Sequence, residues 1–76
     1  MISEMVYASI LKSIYQQGNM GNVMEALGWD AFNFDEAFHI AIEMQNRDYV
    51  KLLYSNFNKN LIVVELTLVG EQLALN

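Results

Sequence analysis

The hydrophobic pattern of this chain changes period once, and that change limits the folds open to it. Up to about residue 45, apolar residues recur at three- and four-residue spacing, the period of a helix face. After Asn46-Arg47-Asp48 they come instead in two runs rich in β-formers, residues 49–54 and 61–66. Helical first and strand-forming second, a chain of 76 residues has room for one small α+β domain.

Local signals divide the helical part. Residues 3–17 read as a first helix, with Met5, Val6, Ile10, Leu11 and Ile14 on one face, Glu4 in the first turn and Gly18 closing it. Residues 19–22 read as a turn. Asn22 caps a second, short helix, with Glu25 placed as in a capping box, Val23, Met24 and Leu27 as its apolar side, and Gly28 at its end. Residues 29–32 connect. Asn33 with Glu36 repeats the cap-plus-acid pattern before a third helix over 34–45, whose buried face is Phe34, Ala37, Phe38, Ala41 and Met44, with Ile40 in the same arc.

The two β runs form a hairpin across a polar loop of about six residues, 55–60, that holds three Asn. Thr67 then caps a last helix, 68–75. Gly70 inside it costs about 1 kcal/mol relative to Ala. Close packing of helix on sheet would account for it, and so would flexibility between strand and loop. No repeat, linker or low-complexity tract interrupts residues 1–76, so a single domain is expected.

Composition excludes several functions. Without Cys there are no disulfides, thiolate metal sites or cysteine nucleophiles. A secreted domain this small usually needs such staples, so a cytoplasmic protein is expected. The first residues carry no basic segment, and Glu4 and Lys12 interrupt the apolar stretch, unlike a signal peptide. The longest apolar run, 61–69, contains Glu65 and Thr67 and falls well short of the ~20 residues that span a bilayer. With 54% hydrophobic residues the chain folds, but a domain of this size buries only about 60% of its unfolded surface. Some apolar surface should therefore meet a partner, most simply a second copy.

Three helices and then a hairpin is the order of a winged helix, a helix-turn-helix with a β wing. Three segments carry a closer likeness. They are Tyr7-Ala8-Ser9-Ile10-Leu11-Lys12-Ser13-Ile14, then Phe34-Asp35-Glu36-Ala37 at the start of the third helix, and Leu66-Thr67-Leu68-Val69-Gly70-Glu71-Gln72-Leu73 after the hairpin. In these the chain resembles the YjcQ-like winged-helix proteins of Gram-positive bacteria and their prophages. The resemblance implies a winged-helix fold and a phage- or prophage-type protein. It brings no catalytic residue and no cofactor.

A winged helix invites a test for DNA binding, which Lys and Arg contacts to phosphates lead. On the third helix the outward positions are Asp35, Glu36, His39 and Glu43, three acids and no base. The bases Arg47, Lys51 and Lys59 follow the helix or lie on the wing, and Lys12 is on the first helix. A net charge of 4 − 9 = −5 also opposes steering toward DNA. Aromatics interleave with bases only at Tyr49-Lys51 and Phe57-Lys59, a faint single-strand signal. The expectation is a protein-interaction or regulatory role in which Asp35, Glu36, His39 and Glu43 meet a basic partner. Each acid taken singly reads best as a solvated face that keeps the protein soluble, and it is the cluster that points to a protein partner. The alternative is a DNA-binding transcriptional regulator contacting backbone through Arg47, Lys51 and Lys59.

Asp35, His39 and Glu43 stand four apart in one row, but a metal site needs further ligands from elsewhere, so helix-surface pairing is the expected reading. No nucleophile motif surrounds any Ser, and Gly18-Asn19-Met20-Gly21 lacks the Lys of a phosphate loop. No enzyme, metal or cofactor is expected. One hairpin face carries Tyr49, Lys51, Leu53, Leu61, Val63 and Glu65, the other Val50, Leu52, Tyr54, Ile62, Val64 and Leu66. Both are mostly apolar, whereas a half-covered hairpin alternates. A homodimer is therefore expected through Tyr49, Leu53, Leu61, Val63, Leu73 and Leu75, with Tyr15 a further candidate.

Overall fold

A computed structural model describes residues 4–28, 33–56 and 60–76. Its elements run α1 (Glu4–Gln16), β1 (Met20–Asn22), α2 (Val23–Leu27), α3 (Phe34–Asn46), β2 (Val50–Ser55), β3 (Ile62–Leu66) and α4 (Leu68–Leu75). The class is α+β, with four helices and one three-stranded antiparallel sheet, in the order β1-β3-β2, among the described residues. The Cα radius of gyration, 11.0 Å, matches the ~11 Å of a compact chain of this length.

The turn expected at residues 19–22 is instead the strand β1. Asn19, at φ 69°, follows Gly18 at φ 99°, and these two left-handed residues turn the chain out of α1. Three residues then pair with β3, Met20 opposite Glu65, Gly21 opposite Val64 and Asn22 opposite Val63. So short a strand has no periodicity of its own; β3 supplies its partner groups.

Asn22 does cap α2, its Oδ1 accepting from Met24 N–H at 3.1 Å, and the same oxygen accepts from Ile62 N–H at 2.9 Å. One side chain thus joins a helix start to the central strand. The return bond expected of Glu25 is made by Gln17, whose Oε1 accepts from Asn22 N–H. Gly28 ends α2 at φ 69° as expected. Asn33 precedes α3 without a side-chain cap bond, unlike the expectation. At the far end of α3, Asp48 takes the left-handed position usually held by Gly, at φ 65°. Tyr49 N–H reaches the Met44 carbonyl and Asp48 N–H the Gln45 carbonyl, the two bonds of a Schellman close.

The core gathers Tyr7, Ile10, Leu11 and Ile14 of α1, Val23 and Met24 of α2, and Ala37, Ile40, Ala41 and Met44 of α3 against Val50, Ile62 and Val64 of the sheet. Met5 and Val6, expected inside, are exposed. Tyr7, two residues beyond Met5 and so on the opposite side of the helix, takes the core position. Phe34 and Phe38 are half-buried and stack on each other with centroids 6.0 Å apart.

Strands β2 and β3 pair as the hairpin predicts, with one irregularity. Leu52 faces Val64, but Tyr54 rather than Leu53 faces Val63. The extra residue, a β-bulge at Leu53, moves Tyr54 from the inner to the outer face, where it is exposed. Gly70 settles between its two readings in favour of close packing. A Cβ built there would fall onto the Tyr49 backbone carbonyl, within 2.9 Å of its carbon. Thr67 anchors that approach. Its N–H donates to the Tyr49 carbonyl, its hydroxyl lies 2.5 Å from the Asp48 carbonyl, and it accepts from Gly70 N–H at 3.0 Å.

Candidate interaction surface

Helix α3 presents the acidic row. Ala37, Ile40, Ala41 and Met44 bury one side of the helix, which leaves Asp35, Glu36, His39 and Glu43 all exposed on the other. Asp35 and Glu36 lie in the first turn, where carboxylates complement the helix dipole, and no basic residue occupies the last turn. The outward side therefore carries three carboxylates and one imidazole beside Ile42 and Asn46, with no base among them. Among the described residues no three His, Asp or Glu side chains converge as a bound metal ion would require.

The bases are dispersed. Lys12 is exposed on α1, and Lys51 is exposed on β2 opposite Glu65. Lys59 lies outside the described residues. Arg47, at the end of α3, is engaged, its Nη1 donating to Glu4 Oε1 at 2.8 Å in the one ion pair among the described residues. Its guanidinium carbon stands 4.8 Å from the centre of the Tyr7 ring. The Tyr49 hydroxyl donates to the same Glu4 carboxylate. That bond, together with burial, raises the Tyr49 phenol above its ordinary pKa and keeps it a donor. Sequence reading placed Glu4 only as a dipole partner in its own helix. Its tertiary role had no local signal, because Glu4 and Arg47 are 43 residues apart.

The six apolar residues expected at a dimer surface are not equivalent. Leu53 and Leu75 are exposed; Tyr49, Leu61, Val63 and Leu73 are half-buried, and Tyr49 and Leu73 pack against the core. Tyr15 also packs there. The outer sheet face is not a continuous apolar surface, since Lys51, Glu65 and Asn22 share it with Met20, Val63 and Tyr54. The free edge of β2 is partly closed as well, because Gln45 Oε1 accepts from Leu52 N–H at 2.9 Å and the bulge at Leu53 breaks the ladder.

Among the described residues the most exposed large apolar side chains lie instead on the terminal helices, Met5 at 82%, Leu68 at 79% and Leu75 at 60%. A shallow depression between α1 and α4 is lined by Met5, Ala8, Lys12 and Leu73. No described helix is long and apolar enough to cross a membrane. No family model, curated protein or solved structure matches this chain.

Proposed function

We propose that the chain is a non-catalytic winged-helix module that works by binding a protein, in the manner of a phage or prophage regulatory protein in the cytoplasm. The element order supports the winged-helix reading. Helices α2 and α3 would form the helix-turn-helix, β2 and β3 the wing, and β1 would brace β3 from the other side. The observation that carries the function is the row Asp35, Glu36, His39 and Glu43, exposed on the helix that in such a fold would enter a DNA groove. Three carboxylates there repel phosphates and suit a basic protein surface. Likeness to the YjcQ-like proteins belongs to the same proposal.

Reversing Asp35, Glu36 and Glu43 to Lys should lower capture of a co-expressed partner at least tenfold, with Glu25→Lys and Glu65→Lys as controls that leave it unchanged. Equal loss from the controls would reduce the acidic row to a general charge effect. The second reading, a DNA-binding regulator, rests on the same element order. It requires salt-sensitive retention of the unaltered protein on duplex DNA that falls when Arg47, Lys51 and Lys59 become Ala.

A second copy remains the proposed cover for exposed apolar surface, through Leu53 and Leu75 rather than the hairpin face as a whole. Sedimentation at micromolar concentration should then give twice 8.7 kDa. A mass of 8.7 kDa would exclude it.

A further inference from the structure

Two donors from the junction of α3 and β2 converge on one carboxylate. Arg47 Nη1 lies 2.8 Å from Glu4 Oε1, and the Tyr49 hydroxyl lies 2.9 and 2.8 Å from Oε1 and Oε2. The donors are held from behind. Tyr7, buried, carries the Arg47 guanidinium on its ring face and packs edge-on to Tyr49 with centroids 6.0 Å apart. The Tyr49 backbone is fixed in turn by Thr67. The acceptor is held less firmly, because Glu4 sits in the first turn of α1 with its side chain 55% exposed. An exposed ion pair contributes little to stability, so this carboxylate is replaceable. A guanidinium and a phenol O–H aimed at one point suit the oxygens of a phosphoryl group as well as those of a carboxylate.

We propose that Arg47 and Tyr49 form an oxyanion site for a phosphoryl group, and that Glu4 closes it by occupying it from within the chain. Glu4 is a tethered competitor, present at an effective concentration of about millimolar or more, so dilute phosphate does not displace it. The site is independent of the acidic row on α3 and stands or falls without it.

The test is titration of Glu4→Ala with inorganic phosphate, followed by NMR at the Arg47 side chain and the Tyr49 amide. Phosphate should bind the variant at least about tenfold more tightly than the unaltered chain, and Arg47→Met in the Glu4→Ala background should abolish the gain. Equal responses with and without Glu4 would overturn the proposal, as would a gain that survives Arg47→Met. Circular dichroism checks the fold. Glu4→Gln, which keeps the side-chain volume but not the charge, serves in its place if the alanine variant unfolds, with the same outcomes. Repeating the titration with a short DNA duplex separates the sources. Tighter binding of the duplex assigns the site to a nucleic-acid backbone, and binding of free phosphate alone assigns it to a small phosphorylated ligand.

Discussion

Gly70→Ala should destabilise the protein by about 3 kcal/mol or more, at the upper end of what overpacking costs. Helix propensity alone predicts the opposite sign, since Ala in a helix interior is better than Gly by about 1 kcal/mol. The contact decides, because the added methyl would meet the Tyr49 carbonyl, which is backbone and cannot swing aside. Relief requires α4 to move off the start of β2, breaking the Thr67 bonds to Asp48 and Tyr49. At 0.05–0.15 kcal/mol per residue, a chain of 76 residues has only about 4–11 kcal/mol in total. The thermal midpoint should fall by roughly 12–24 °C, at about 4–8 °C per kcal/mol. Gly28→Ala is the control. Among the described residues nothing lies within 4 Å of a Cβ there, so only the left-handed φ of 69° is strained, at about 1–2 kcal/mol. A Gly70→Ala melt equal to or above that of the unaltered protein would refute the packing.

Leu11→Ala should cost about 2–5 kcal/mol, whereas Leu68→Ala should stay within about 0.5 kcal/mol. The substitution is chemically the same in both. Leu11 is 0% exposed inside α1, and truncation removes contacts on every side and leaves a cavity. Leu68 is 79% exposed at the start of α4, where water already surrounds it. Denaturant melts at low concentration measure both. A large loss at Leu68 that shrinks on dilution would mean that a second copy covers it, since the unaltered protein then dissociates as well and loses the stability that association adds.

Legibility in the sequence followed the range of the interaction. Asn22, Gly28 and Thr67 announce helix boundaries through neighbours a few residues away, and the structure places all three as caps. The strand β1 had no such signal, because three residues become a strand only through Val63, Val64 and Glu65. Asp48 carries no such signal either, because it does in the left-handed region what Gly ordinarily does. The bulge at Leu53 is a register event between strands, invisible to alternation counted along one of them, and it is why Tyr54 faces outward. For the candidate surface, the acidic row on α3 was readable from helical spacing alone. The capture of Arg47 by Glu4 was not, since it joins the two ends of the helical half of the chain.

Sequence by itself determined the class, the helices and hairpin, and the placement of acid on the outer side of α3. Each follows from side-chain period and local capping, which act over a few residues. Tertiary structure alone decided that Tyr7 rather than Met5 or Val6 is core, why position 70 must be Gly, and that the cation at the end of α3 is already paired. The physical reason is that burial and close approach belong to pairs of elements. In sequence Met5 reads as the more apolar of Met5 and Tyr7, and only the docking of α1 on the sheet and its neighbouring helices makes Met5 surface and Tyr7 core.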